Sequence, residues 1–325
     1  MNNYSFLQRK LHQFALSSKF MREVIFDAEN FFTTTQHLTD NHVFISGLAR
    51  SGTTILLNAL HESDEFASLS YRDMPFVLAP NLWSKLYSNK QKINYIERAH
   101  GDGIKVSSSS PEAFEEVFWM TFDQCDELTQ QKFEKYVELI NHRYGKKRYI
   151  SKNNHNLKRL KLISKIFPNS QKLILFRNPI QHSFSLLSQH RRFITYSKED
   201  IFISNYMKWT GHSEFGPNYR PIQNKNLKFI DDLDLNHWLE QWYITYRNCL
   251  ETYKNYKNIN FICYEKLCSS KVYWLELMQR LKVKETYEFE FRETTKNIEI
   301  KIDDYIHEKV LLLYSELLEH DFRRS

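Results

Sequence analysis

The sequence predicts an α/β fold in which helices flank a central parallel sheet. Short apolar runs at residues 42–46, 172–176 and 259–263 alternate with segments of helical periodicity, a pattern typical of parallel strands joined by crossover helices. Glycine is scarce, with 7 among 325 residues, where average usage of about 7% would give roughly 23. Two of the seven, Gly47 and Gly52, follow the first apolar run. We therefore expect this pair to have a specific backbone role.

The chain is predicted to form one domain over residues 1–325, with a helical N-terminal extension at 1–40. The net charge of +6, from 45 basic and 39 acidic residues, suits an anionic ligand but is also ordinary for a soluble protein. No stretch approaches about 18 uninterrupted apolar residues and no signal peptide is recognisable, so we expect a cytoplasmic protein that does not span a membrane. The four cysteines lack metal-ligand spacing, and no metal site is predicted.

Residues 71–147 are predicted to form a mostly helical insertion. The pattern there is irregular, with a tight turn expected at Asp102-Gly103. Ser110-Pro111-Glu112 has the composition of an N-cap, a first-turn proline and a first-turn acid, which predicts a helix over residues 112–122. By analogy with other α/β proteins, such an insertion supplies specificity for a substrate.

The segment 47–54, Gly-Leu-Ala-Arg-Ser-Gly-Thr-Thr, joins a predicted strand to a predicted helix. It matches the first six positions of the phosphate-binding motif G-x-x-x-x-G-K-[ST], but Thr53 stands in place of the lysine. Such a loop turns successive backbone N–H groups toward an anion, the helix start adds its positive dipole end, and Arg50 adds a fork of donors. The motif predicts an anion site in a P-loop NTPase-like, three-layer fold. The alternative is a strand-to-helix turn with incidental glycines.

This loop resembles the 5′-phosphosulfate loop of sulfotransferases, which use 3′-phosphoadenosine 5′-phosphosulfate (PAPS) as sulfuryl donor. The Arg-Ser-Gly-Thr-Thr version at 50–54 is similar to that of protein-tyrosine, carbohydrate and many bacterial sulfotransferases. The resemblance implies that five loop residues bind the donor. They are Arg50, Ser51, Gly52, Thr53 and Thr54.

A second match to the sulfotransferases follows the apolar run at 172–176. Arg177, and Ser185 eight residues later, resemble the strand-end arginine and the helical serine that bind the 3′-phosphate of the donor in this family. Pro179 can begin the helix that carries Ser185, and a side chain there tilts toward the N-terminus of that helix. The alternatives are a helix cap or surface ion pair for Arg177 and a backbone-bonded hydroxyl for Ser185.

Lys152 resembles the lysine of this family that follows the strand before the 3′-phosphate strand, which implies that it reaches the transferring sulfuryl group. A plain surface lysine is the alternative. Basic residues at 146–148 and 158–165 could also indicate a nucleic-acid patch. However, the lysines of the second stretch share one helical face and the apolar residues another, as on a solvated helix. We therefore expect no nucleic-acid partner.

The resemblance implies in-line transfer of a sulfuryl group from PAPS to an acceptor hydroxyl or amine, with release of 3′,5′-ADP. Arg50 and Lys152 would stabilise charge on the leaving oxygen without a metal, since a sulfuryl group carries less charge than a phosphoryl group. Related enzymes often place a glutamate base downstream of the loop arginine, and counting the same distance from Arg50 without gaps ends near Tyr71. Asp73 is the nearest carboxylate and is therefore the candidate general base. A turn-shaping pair with Arg72 is its structural alternative. Three histidines are further candidates for the base: His61, His190 and His212.

The acceptor is expected to be a saccharide or another small biosynthetic molecule with a hydroxyl, because the loops look more like the carbohydrate and tyrosyl branch than the phenol branch. Arg292 and Lys296 lie where the small-molecule branch carries a basic loop around the 3′-phosphate, and no role is assigned to them. Two other classes stay open, a P-loop kinase or NTPase and a non-catalytic nucleotide-binding protein. The oligomeric state is not predicted.

Overall fold

The computed structural model describes residues 5–36, 40–86, 96–97, 105–124, 126–199, 201–222, 227–292 and 295–323. The strands in these ranges are β1 (Val43–Ser46), β2 (Phe66–Ala67), β3 (Ile96–Glu97), β4 (Lys105–Val106), β5 (Arg148–Lys152), β6 (Gln171–Phe176) and β7 (Ile259–Cys263). Within them, five strands form a fully parallel sheet in the order β2-β5-β1-β6-β7. β3 and β4 form a separate antiparallel pair.

The helices belong mostly to the connections between these strands. They are α1 (Phe6–Leu16), α2 (Lys19–Phe32), α3 (Thr53–His61), α4 (Pro80–Leu86), α5 (Glu116–Thr121), α6 (Glu127–Tyr144), α7 (Leu160–Ile166), α8 (Pro179–Glu199), α9 (Ile201–Trp209), α10 (Leu235–Tyr253), α11 (Tyr264–Ser269), α12 (Lys271–Arg280) and α13 (Asp304–Glu319). Two short 3₁₀ helices cover Tyr71–Asp73 and Asn154–Lys158.

Side chains on alternate positions of each strand enter different cores. Val43, Ile45 and Leu173 pack with α3, α11 and α12 on one face of the sheet. Phe44 packs with α2, α5 and α6, and Ile174 packs with α8, α10 and α13. Because both faces are covered, these strands are continuous apolar runs without alternation. The predicted three-layer α/β fold is confirmed.

Two helices, α1 and α2, cover most of residues 5–32. Ser5 and Ser18 cap these helices, each accepting a hydrogen bond from a backbone N–H in the first turn. Among the described residues, none of the helices has both the length and the apolar composition to cross a bilayer. The single domain and the cytoplasmic location stay predictions.

The region 71–147 contains α4, α5 and α6, and the expected turn at Asp102-Gly103 lies outside the described residues. The predicted start of a helix at Glu112 is wrong, because α5 begins only at Glu116. The Glu112 N–H donates to Leu69 O at 3.0 Å, and Pro111 forms a β-bridge with Ser70. This stretch therefore pairs with another extended segment and does not form a helix. Glu112 also lines the cavity of the candidate site.

Candidate active site

The turn between β1 and α3 needs both of its glycines. Gly47 has φ +156°, and a Cβ there would lie 2.7 Å from Leu175 O and 2.6 Å from Ser51 Oγ. Gly52 has φ +95°, where a side chain is strained, and its Cβ would overlap the ring of Tyr264 at Cδ2 and Cε2. The predicted backbone role of the two glycines is confirmed, since a Cβ at either position would overlap β6 or α11.

Tyr246 of α10 ties this turn to the sheet from below. Its buried hydroxyl donates to Leu175 O at 2.6 Å and accepts from the Leu48 N–H at 3.3 Å. Burial raises the pKa of the phenol far above its ordinary value, so the proton needed for the first bond stays in place.

His182 of α8 holds the same turn from the other side. Its Nε2 lies 2.7 Å from Ala49 O, and the side chain is fully buried. Burial, together with the positive charge of Arg177, lowers the pKa of His182 to about 3. The imidazole is therefore neutral, and because a carbonyl only accepts, Nε2 carries the proton. The turn is held in shape by groups buried beneath it.

Three predicted donor-binding side chains meet beside this turn. Arg50, with φ +71°, directs Nε to within 3.3 Å of Ser185 Oγ on α8. Arg177, directly after β6, donates from Nη1 to Arg50 O at 3.4 Å, and its guanidinium lies 5.6 Å from the ring centre of Tyr264. Residues more than a hundred positions apart in the chain thus form one cationic corner.

A cavity of about 600 Å³ lies at the turn, and its lining is described here as two walls, each named after strands whose ends contribute to it. The wall that follows β6 and β7, called here the β6/β7 wall, consists of Arg177, Gln181, Phe184, Ser185, Tyr264, Phe289, Glu290, Arg292 and Lys296. The opposite wall, called here the β5 wall, consists of Asn58, Glu112, Lys152, Asn154, His212, Glu214 and Phe215. The glycine turn lies between the walls and contributes Arg50, Gly52, Thr53 and Thr54.

The β5 wall is built on the end of β5. Lys152 is largely buried there, and the Nδ2 group of Asn154 donates to Glu214 Oε1 at 2.7 Å. His212 Nδ1 lies 3.5 Å from Glu214 Oε2. Burial alone would raise the pKa of Glu214, but the hydrogen bond and charge of His212, with the charges of His155 and Lys152, lower it below its ordinary value. The carboxylate is ionised.

The sequence matches the sulfotransferase family over residues 42–214, which is more than half of the chain. The chain belongs to the sulfotransferase family. Three bacterial sulfotransferases of known structure align with it at low identity. STF1 of Mycobacterium tuberculosis H37Rv is 11% identical, with 98% of this chain and 86% of that chain covered and a TM-score of 0.49. STF9 of Mycobacterium avium is 11% identical (97% and 79% covered, TM-score 0.41), and the Alicyclobacillus acidocaldarius enzyme is 13% identical (87% and 96% covered, TM-score 0.40). No curated protein matches the sequence.

Most of the predicted site residues of this sulfotransferase line the cavity. The exceptions are Ser51 and Asp73, which are not among the described lining residues. Ser51 is fully buried beneath the turn. Asp73 is buried in the insertion, where it accepts hydrogen bonds from the Ser70 N–H and from the hydroxyl of Tyr144. Burial raises the pKa of Asp73. Its role as general base stays a prediction.

Of the three histidines considered as bases, the described cavity lining includes His212 and neither of the others. His61 ends α3. His190 is buried under Trp238, where its Nδ1 accepts from the Gly216 N–H at 3.1 Å. Arg292 and Lys296, to which the sequence assigned no role, both lie on the β6/β7 wall.

Sequence reasoning missed the carboxylates of the β5 wall, Glu112 and Glu214. Glycine scarcity could have indicated Glu214, because Gly211 and Gly216 bracket it and both have positive φ, +80° and +82°. Glu112 gave no such signal. At the cavity, Glu112 accepts a hydrogen bond from the Tyr71 hydroxyl at 2.7 Å. This contact joins residues 41 positions apart, so no local pattern in the sequence indicates it.

Proposed function

We propose that this protein transfers a sulfuryl group from PAPS to an acceptor hydroxyl or amine and releases 3′,5′-ADP. The observation that carries the proposal is the corner where Arg50 lies 3.3 Å from Ser185 and Arg177 donates to the Arg50 carbonyl, beside a glycine turn at a helix start. Guanidinium groups, a hydroxyl and helix N–H groups are the usual ligands of phosphate and sulfate oxygens.

The β6/β7 wall suits the nucleotide part of PAPS. Arg177, Arg292 and Lys296 carry positive charge on this wall that would attract a 3′-phosphate, with Glu290 as the acidic neighbour of Arg292 at 3.2 Å. Phe184 and Phe289 provide aromatic surface on the same wall, and adenine stacks on such surfaces. The missing P-loop lysine at Thr53 favours a phosphosulfate over a nucleoside triphosphate.

In the proposed reaction, the acceptor oxygen or nitrogen forms a bond to sulfur while the bond from sulfur to the 5′-phosphate oxygen breaks. The electron pair of the broken bond stays on that oxygen, and the acceptor proton passes to a base. Arg50, Lys152 and the N–H groups at the start of α3 lie around the turn and would stabilise the charge that develops there.

The β5 wall supports a hydroxyl-rich acceptor such as a saccharide. Its members are mainly amide, carboxylate and imidazole groups, with Phe215 as a single aromatic side chain among the described lining residues of this wall. Amides and carboxylates hydrogen-bond several hydroxyl groups at once. A phenol site would instead need mostly apolar walls.

A transfer assay tests the proposal. The purified protein is incubated with radiolabelled PAPS and a panel of saccharides, amino sugars, peptides and phenols, and labelled product is measured together with 3′,5′-ADP. We expect transfer to a saccharide, and a loss of about 10²- to 10³-fold in Arg50→Met because this side chain contacts the transferring group. Transfer by Arg50→Met at the wild-type rate, or phenols as the sole acceptors, would contradict the assignment.

A further inference from the structure

The segment 211–216 presents a histidine and a carboxylate to the cavity from one short stretch. The chain turns at Gly211 and Gly216, and the His212 N–H donates to Met207 O at 2.8 Å. A Cβ at Gly211 would overlap the Glu116 side chain and would lie 3.0 Å from the Cβ atom of Glu116. Glycine at this position therefore lets the segment lie directly against α5. Its position relative to α5 is therefore fixed by packing.

Hydrogen bonds fasten the same segment to the residues that follow Lys152. Asn154 donates to Glu214 Oε1 at 2.7 Å, and Ser213 Oγ lies 3.4 Å from His155 Nε2. The Glu214 side chain is 8% exposed and that of His212 is 16% exposed. The carboxylate is thus nearly buried and is hydrogen-bonded through Oε1, while the more exposed imidazole beside it lines the cavity.

The ion-pair contact with Glu214 favours one nitrogen of His212 over the other. A carboxylate accepts hydrogen bonds, so the Glu214 oxygen 3.5 Å from Nδ1 favours the tautomer with the proton on Nδ1. Nε2 then carries a lone pair. A histidine oriented by a buried carboxylate is the arrangement that general bases commonly have.

We propose that His212 is the general base that takes the acceptor proton, on Nε2, and that Glu214 is the residue that positions it. The inference rests on the proposed function and specifies its least determined step. As the acceptor oxygen bonds to sulfur, its proton moves to His212, and the resulting imidazolium is stabilised by the Glu214 carboxylate until the proton passes to water.

Two other carboxylates are less suited to this step. Asp73 is not among the described lining residues, and its Oδ2 atom accepts hydrogen bonds from the Ser70 N–H and the Tyr144 hydroxyl. Glu112 does line the cavity, but one oxygen accepts from the Tyr71 hydroxyl at 2.7 Å and the other from the Ala113 N–H at 2.9 Å. Hydrogen bonds to both oxygens stabilise the carboxylate and make it a weaker base.

The test measures 3′,5′-ADP release from PAPS with water or with the saccharide panel as acceptor. We expect His212→Ala to lower kcat by about 10²- to 10⁴-fold. The dissociation constant of 3′,5′-ADP should change by less than about 3-fold, because the corner proposed to bind the nucleotide is made by Arg50, Arg177 and Ser185 and not by His212. Added imidazole should restore part of the rate. Asp73→Asn and Glu112→Gln should each retain more activity than His212→Ala.

The role of Glu214 is tested by a double-mutant cycle. Glu214→Gln should lower kcat by at least about 10-fold in the wild-type background and have little further effect in His212→Ala, because a residue that acts through another is non-additive with it. Additive losses would show that Glu214 acts on the structure alone.

His155→Gln is the matched control, since His155 also pairs with a carboxylate, Glu116 at 3.3 Å, but is not among the described lining residues. It should lose thermal stability and gain nothing from imidazole.

If His212→Ala is misfolded, His212→Gln replaces it. The proposal is overturned if a folded variant keeps the wild-type rate, if imidazole fails to rescue it, or if the wild type binds 3′,5′-ADP but never turns PAPS over. Absence of 3′,5′-ADP binding would instead overturn the proposed function, and the role of His212 with it.

Discussion

Replacing Gly52 by alanine should destabilise the protein far more than the same change at Gly145. At Gly52 the added Cβ would overlap two ring atoms of Tyr264 and lie 3.0 Å from a third, at φ +95°. Gly145 ends α6 at φ +64°, and a Cβ there would have no atom within 4 Å. The pair therefore separates steric overlap from backbone strain.

The expected magnitude follows from these two terms. A left-handed conformation costs a non-glycine residue about 1–2 kcal/mol, and overpacking adds about 1–3 kcal/mol. Gly52→Ala should thus lose about 2–5 kcal/mol of unfolding free energy, and Gly145→Ala about 1–2 kcal/mol. Reduced entropy of the unfolded chain offsets both variants equally.

Urea denaturation measures the two losses, and a 3′,5′-ADP titration of each variant measures the effect on the site. The affinity should fall in Gly52→Ala, because moving the Tyr264 ring displaces the neighbouring Arg177 guanidinium, and stay unchanged in Gly145→Ala. Equal losses of stability in the two variants would refute the steric argument. So would a Gly52→Ala protein with wild-type stability and affinity.

Three further changes probe the framework of the site. Tyr246→Phe removes the hydroxyl that bonds the turn to β6, and should cost about 1–3 kcal/mol by urea denaturation because the two partners stay buried. Arg159→Met removes the bidentate hydrogen bonds, at 2.6 and 2.8 Å, that the guanidinium donates to the buried Glu116 carboxylate, and should lower the unfolding free energy by about 3–5 kcal/mol. Lys19→Met, at an exposed ion pair, should change the unfolding free energy by less than about 1 kcal/mol. Burial lowers the pKa of Lys172 from 10.5 to about 8, so between these pH values the unfolded chain binds more protons than the folded protein. The stability of the wild type relative to Lys172→Met should therefore rise by about 2–3 kcal/mol from pH 8 to pH 10.5. Denaturation at several pH values measures this rise.

The donor side of the site was predictable because its signals are local in the sequence. Gly47 and Gly52 stand out in a chain with few glycines, and Arg177 follows a short apolar run that is typical of a buried strand. The order of the parallel strands then brings these residues to one edge of the sheet.

The acceptor side was not predictable in the same way, because its contacts join distant segments. Glu214 accepts a hydrogen bond from Asn154, 60 positions away, and Glu112 accepts one from Tyr71, 41 positions away. Counting along the chain led instead to Asp73, which is local to the insertion but buried behind Tyr144. The late start of α5 has the same origin, since pairing of residue 112 with residue 69 overrides local helix signals.

The central claim is that the corner formed by Arg50, Arg177 and Ser185 binds the nucleotide of PAPS. Isothermal titration of 3′,5′-ADP into the wild type, Arg177→Ala and Arg191→Ala tests it most directly, since Arg191 is an exposed arginine of α8, the helix that carries Ser185. We predict binding by the wild type, affinity weaker by about 10- to 100-fold in Arg177→Ala because a charge-assisted bond is lost, and no change in Arg191→Ala. Absence of binding by the wild type, or equal affinity in Arg177→Ala, would contradict the account.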